Sequence, residues 1–176
     1  MSGILVAGIG NIFKGDDGFG VAVAQRLARR ELPPGVKVVD FGIRGLDLTY
    51  ALLDGYQAVV MIDSAQRGER PGTVYVIEPE LQPHDDAQNR EFSPHELDPA
   101  KVLRLARYLG GECQRVVIVA CEPLTFGGED GAMGLSQVVA AAVEPAIATV
   151  EEVLGELLGN DATPHVANTL EEGSFR

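Results

Sequence analysis

A chain of 176 residues, 45% hydrophobic and 23% charged, has ordinary globular composition, which excludes disorder, coiled coil and collagen. A domain of this length buries roughly 70% of its unfolded surface without disulfides or structural metals, so one core suffices. The formal charge of −12, with no basic stripe, repels nucleic acid.

Met1 to Phe13 is apolar, but no Lys or Arg precedes the apolar run, and Gly3, Gly8 and Gly10 break it. Neither a signal peptide nor a membrane span is expected, and the expected compartment is the cytoplasm. Residues 4–9 (ILVAGI) read as a strand, Gly10 and Asn11 as a loop, and residues from about Gly18 to Arg30 as a helix closed by Pro33, Pro34 and Gly35. Val36 to Asp40 predicts a second strand, followed by a glycine-spaced turn through Phe41, Gly42, Ile43, Arg44 and Gly45 and a short helix near Leu46 to Leu53. Ala58 to Asp63 (AVVMID) is almost wholly apolar, as expected of a strand covered on both faces.

Thr73 to Ile77 alternates and predicts a fourth strand at an edge, and the polar stretch Glu78 to Pro94 reads as a surface loop. A helix is expected from Glu96 or Pro99 to Leu109, a strand at Arg115 to Cys121, a glycine-rich loop from Gly127 to Gly134, and a long helix from Leu135 to Leu158. Residues 1–158 are expected to form a single α/β domain, with 159–176 a polar, loose tail. Strands alternating with helices predict a three-layer α/β/α sandwich around a mainly parallel twisted sheet of about five strands. The two cysteines, Cys113 and Cys121, flank one predicted strand that holds them roughly 26 Å apart, so they cannot pair with each other.

In an open parallel sheet, ligands bind at the carboxyl edge of the strands. The first strand leads to Asp16 and Asp17, the second ends in Asp40, and the third in Asp63 and Ser64, so three strands deliver carboxylates to one rim. An anion at a helix start also caps free N–H groups, which suffices to explain Asp16 alone. Asp63 is different: an acid directly after five apolar residues has to be solvated, paired or metal-bound. His95, in Ser93-Pro94-His95, sits in a segment able to fold over that rim, whereas His84 and His165 lie in polar surroundings with no such neighbours.

Two carboxylates and an imidazole suit zinc, nickel or cadmium and leave coordination positions open. Such an ion polarises a peptide carbonyl or lowers the pKa of bound water to about 7. No GxSxG or HExxH motif offers a competing mechanism. A dinucleotide site is the rival reading, with Gly8 and Gly10 after a strand and Asp40 at the end of the next. The third glycine position holds Phe13, however, and Asp16 and Asp17 stand where a pyrophosphate would approach.

The chain resembles the hydrogenase maturation endopeptidases from about Ile4 to Leu158. The resemblance rests on Gly8-Ile9-Gly10-Asn11 with Gly15-Asp16-Asp17-Gly18-Phe19-Gly20-Val21, on Asp40-Phe41-Gly42 with Gly45, on Ile62-Asp63 with Pro71-Gly72-Thr73, and on Ser93-Pro94-His95. It implies a protease that removes a C-terminal extension from the nickel-iron hydrogenase large-subunit precursor after nickel insertion. Asp17, Asp63 and His95 map onto its catalytic and metal-coordinating positions. The tandem acids leave the register open by one residue; spacing to Gly10-Asn11 and Gly20-Val21 selects Asp17 and leaves Asp16 as a supporting group. Asp40, Gly42 and Gly45 are expected to position the substrate tail. The implied metal is nickel supplied by the precursor, which zinc or cadmium can replace in a crystal. The expected partner is that precursor, with no nucleic acid and no membrane, and the expected state is a monomer. A non-catalytic nickel-checking chaperone for the same precursor and a Rossmann-like nucleotide-binding module remain the alternatives.

Overall fold

A computed structural model describes residues 3–80 and 98–159. Five strands, β1 (Ile4–Ile9), β2 (Val36–Gly42), β3 (Ala58–Ser64), β4 (Val74–Ile77) and β5 (Arg115–Cys121), form one sheet in the order β2-β1-β3-β5-β4. All neighbours are parallel except β4, which pairs antiparallel to β5 at the edge. The helices are α1 (Phe19–Leu27), α2 (Gly45–Leu52), α3 (Pro99–Tyr108), α4 (Gln137–Ala140) and α5 (Val143–Gly159).

Because side chains alternate along a strand, each inner strand feeds two cores. Ile4 and Val6 of β1, Val60 and Ile62 of β3, and Val117 and Val119 of β5 pack with Phe19, Val23 and Leu27 of α1 and Ile147, Val150 and Leu154 of α5. Leu5, Ala7 and Ile9, with Val59, Met61 and Val116, pack on the opposite face with Leu48 and Leu52 of α2 and Val102 and Ala106 of α3. Helices therefore cover both faces, which gives the three-layer α/β/α arrangement. It also explains why β1 and the first five residues of β3 are buried without a polar alternation. The ion pairs from Arg26 and Arg30 to Glu144 and Glu151, which join α1 to α5, are half-exposed, so packing rather than charge holds these helices together.

Helix α1 approaches the sheet closely. A Cβ on Gly20 would lie 2.0 Å from the carbonyl oxygen of Ile62 and 2.3 Å from that of Ile9, and one on Gly8 would lie 2.4 Å from the Cβ of Ala24. Only hydrogen fits at either place, so these two glycines set the depth at which the helix seats across β1 and β3.

Several boundaries differ from those expected. The segment expected as helix from Gly18 opens as a 3-10 turn over Gly15–Gly18, and α1 stops at Leu27. Strand β2 runs on through Phe41 and Gly42, which were expected in the turn. The expected helix 135–158 is two helices, α4 and α5. Pro145 cannot donate to the carbonyl of Ala141 and its ring crowds that position, so the chain breaks there and a new helix starts with the proline in its first turn. Helix α3 begins at Pro99, capped by the Asp98 side chain on the Ala100 N–H. Helix α5 continues through Gly159, the first residue of the expected tail; the rest of that tail, most of the 78–94 loop, His84, His95 and His165 lie outside the described residues. Among the described residues, no helix is long and apolar enough to cross a membrane. Cys113 and Cys121 are both free thiols, and burial first, with the charges of Asp16 and Glu122, pushes the Cys121 thiol up to about 11.

Candidate active site

Where β1 ends, Gly10 takes a φ of +141°, and a Cβ there would lie 1.8 Å from the Asp17 carbonyl oxygen. Glycine therefore lets the chain fold back on the 3-10 turn, which brings Asp17 to Ser64 at the carboxyl edge of the sheet. The Asp17 carboxylate accepts from the Asn11 N–H at 3.0 Å on one oxygen and from the Ser64 hydroxyl at 3.2 Å on the other. Asp63, the last but one residue of β3, accepts from the Ser64 N–H at 2.8 Å. Ser64 thus touches both acids, one through its side chain and one through its backbone.

Asp63 is held well above the ordinary carboxylate range: burial is the first cause, the charges of Asp17 and Asp98 add to it, and the Ser64 N–H only partly offsets them. Among the described residues, no basic side chain pairs with Asp17 or Asp63. Among the described residues, the two acids therefore stand without a cation beside them.

Asp16 faces the other way. It is fully buried, and its carboxylate accepts from the N–H groups of Leu124, Thr125 and Ser136 and from the Ser136 hydroxyl, at 2.7 to 3.0 Å. Burial alone would raise its pKa, but these donors outweigh it and hold the carboxyl below the usual range. Asp16 therefore fastens the loop after β5 behind the rim and offers no oxygen to a ligand. Asp40 accepts from the Gln25 side chain on α1 at 3.0 Å, which places it beside the helix rather than beside Asp63. Gly42 has a φ of +55°, and its carbonyl accepts from the Gly10 N–H at 3.0 Å, joining the second loop to the first. Gly45 opens α2 and accepts from the Thr49 hydroxyl.

The structure thus brings Asp17 and Asp63 together through Ser64, sets Asp16 behind them and Gly42 beside them, and turns Asp40 to α1. His95 is outside the described residues, and among those described no group of three or more His, Cys, Asp and Glu is placed to hold a metal. The two glycines that a dinucleotide would need are filled by the chain itself: Gly8 faces Ala24 and Gly20 of α1, and Gly10 faces Asp17.

Two acids escaped the reading of the sequence. Asp98 caps α3 and adds its charge to the environment of Asp63. Glu122 is only 5% exposed and follows β5 directly, as Asp63 ends the apolar part of β3. It accepts from the Arg67 and Gly68 N–H groups and the Tyr75 hydroxyl, and so fastens the loop after β3. These bonds outweigh the effect of burial and lower its pKa, while burial and the bond to Glu122 raise that of Tyr75. The signal for Glu122 was the same as for Asp63, a lone acid ending an apolar run.

Fold and site together define a three-layer α/β protein with an acidic centre at the carboxyl edge of a parallel sheet. Residues 21–153 match the family described as hydrogenase maturation protease. The hydrogenase 2 maturation protease of Escherichia coli strain K12 is 30% identical over 165 residues, which are 93% of this chain and 97% of that protein. Among solved structures, the hydrogenase maturating endopeptidase HybD from E. coli superposes with a TM-score of 0.72 at 28% identity, covering 88% of this chain and 93% of that one. The hydrogenase 2 maturation peptidase from Thaumarchaeota archaeon SCGC_AB-539-E09 gives 0.67 at 31% identity, covering 88% and 99%. The chain belongs to the hydrogenase maturation protease family and is a hydrolase of the peptidase class.

Proposed function

We propose that the protein removes the C-terminal extension of a nickel-iron hydrogenase large-subunit precursor after nickel insertion, acting in the cytoplasm as a monomer, with Asp17, Asp63 and His95 as its working site. The observation that carries this reading is the convergence of Asp17 and Asp63 on Ser64, with no basic side chain paired to either among the described residues. Two hard oxygen donors with a nitrogen donor fit a borderline divalent ion and leave room for a substrate oxygen. Asp17, Asp63 and His95 would hold that ion, nickel carried in by the precursor. His95 stands three residues before Asp98, a reach of at most about 11 Å, and the charge of Asp98 already acts on Asp63.

When bound, a divalent ion polarises the scissile carbonyl or acidifies a water. The chain's own contribution is orientation. Ser64 fixes both carboxylates, Asn11 fixes Asp17 from the other side, and the buried Asp16 and Glu122 clamp the loops on either flank. A site without thiolates binds nickel more weakly than cysteine ligands do, so it can contact the metal without extracting it.

The test is incubation of the purified protein with nickel-loaded and nickel-free precursor, reading the mass of the large subunit. Loss of the extension from the loaded precursor alone is expected, and Asp63→Ala or His95→Ala should remain folded and leave the precursor uncut. No mass loss with either precursor would refute the reading, and a stable complex without a shortened product would mark a nickel-checking chaperone instead.

A further inference from the structure

Most large apolar side chains of this protein are buried, yet several on the loops around Asp17 are not: Phe13 is 63% exposed, Met133 69%, Leu124 58% and Ile12 43%. They are not scattered. Phe13 accepts through its carbonyl from the Ala132 N–H at 3.0 Å, and the Gly15 N–H donates to the Ala132 carbonyl at 2.8 Å, which places Met133 one residue beyond a fixed pair of bonds. The Leu124 N–H is held by the Asp16 carboxylate at 2.9 Å. Ile12 follows Asn11, whose N–H binds Asp17. Each exposed side chain is thus anchored within about one residue of the segment that presents Asp17. The loops that carry these side chains are therefore the ones bonded to the Asp16-Asp17 turn.

Resting on the endopeptidase reading, we propose that Ile12, Phe13, Leu124 and Met133 form a docking rim that takes an extended, apolar and non-acidic stretch of the precursor polypeptide next to the bond to be cut. Charge selects this occupant. An acidic segment would approach Asp17 and Asp63, to which no basic side chain pairs among the described residues, and a second copy docked on this face would bring two chains of charge −12 together. An apolar stretch has no such opposition and removes the exposed side chains from water. Anchoring by backbone bonds and by Asp16 means that little order has to be imposed on the loops when the segment arrives.

The test uses the full chain and the nickel-loaded precursor. In the double variant Phe13→Ser with Met133→Ser, KM should rise tenfold or more while kcat stays within twofold. Tyr108→Ser, which removes a still more exposed aromatic from the far end of α3, should change neither. Binding is read separately on a chain inactivated by Asp63→Asn, where the double substitution should weaken the Kd for precursor by the same factor. An unchanged Kd overturns the rim even if wild-type processing is normal. Absence of cleavage by the wild type overturns the endopeptidase reading, while the Kd comparison still judges the rim. A wild-type dimer in sedimentation that the double variant dissolves would assign this face to a second copy and also overturn the proposal. Retention of the wild-type melting curve by the double variant is expected, since both side chains are exposed, and Phe13→Leu with Met133→Leu should restore the Kd.

Discussion

The carboxyl of Asp63 sits where ionisation is disfavoured by burial and by the nearby charges of Asp17 and Asp98. In the unfolded chain it ionises near pH 4, so between that pH and its higher folded pKa the unfolded state releases a proton that the folded state keeps, and stability falls as pH rises. The Asp63→Asn protein should therefore have a higher urea midpoint than wild type at pH 7, a difference that disappears below about pH 4, and it should fail to process precursor. An equal or lower midpoint at pH 7 would show that the acid pair is not under strain. Under the proposed function, activity and stability are opposed at this one residue, as expected where a site has to present charge to a ligand.

Among the elements, α1 carries the tightest constraint. Gly20→Ala would place a methyl 2.0 Å from a backbone oxygen of β3, and backbone cannot move aside as a side-chain tip can. A loss of about 3 kcal/mol or more is expected, read as a fall in melting temperature and in soluble yield. A near-neutral effect would mean that α1 does not seat at this depth. The strands themselves were legible in the sequence, because β1, β3 and β5 have both faces covered and so appear as unbroken apolar runs. The split between α4 and α5 was not, because the apolar spacing continues across residues 141 and 142 and a proline in a first turn leaves no other mark. Asp63 was legible by the same contrast that makes it unusual, an acid closing an apolar strand. The burial of Asp16 was hidden, since its partners lie 108 to 120 residues away and three of them are backbone N–H groups, which every non-proline residue possesses.

Across the whole molecule, Asp16 ties the first loop of the chain to the loop before α4, and Glu122 ties the end of β5 to the loop after β3. Replacing Asp16 by Ala leaves several buried donors without an acceptor, and a loss on the order of 3–5 kcal/mol in urea unfolding is expected. Since burial is outweighed by hydrogen bonds and the folded carboxyl ionises below the ordinary range, its contribution is present above about pH 4 and is lost as pH falls through the folded value. The gap between wild type and Asp16→Ala should therefore narrow on acidification. A constant gap down to the acid limit would show that the side chain acts by volume alone.

The reliance of Asp16 on donors so far along the chain also bears on how the protein is made. Strands β1, β2 and β3 lie within the first 64 residues and can pair with one another while translation is still under way. Until residues 124–136 have left the ribosome, the nascent chain lacks the full set of donors that seats this carboxylate, and the loop bearing Phe13 lacks Ala132, its backbone partner. The finished rim is thus a late product of synthesis, and a chain cut short before that point would keep its sheet-forming half without a usable face.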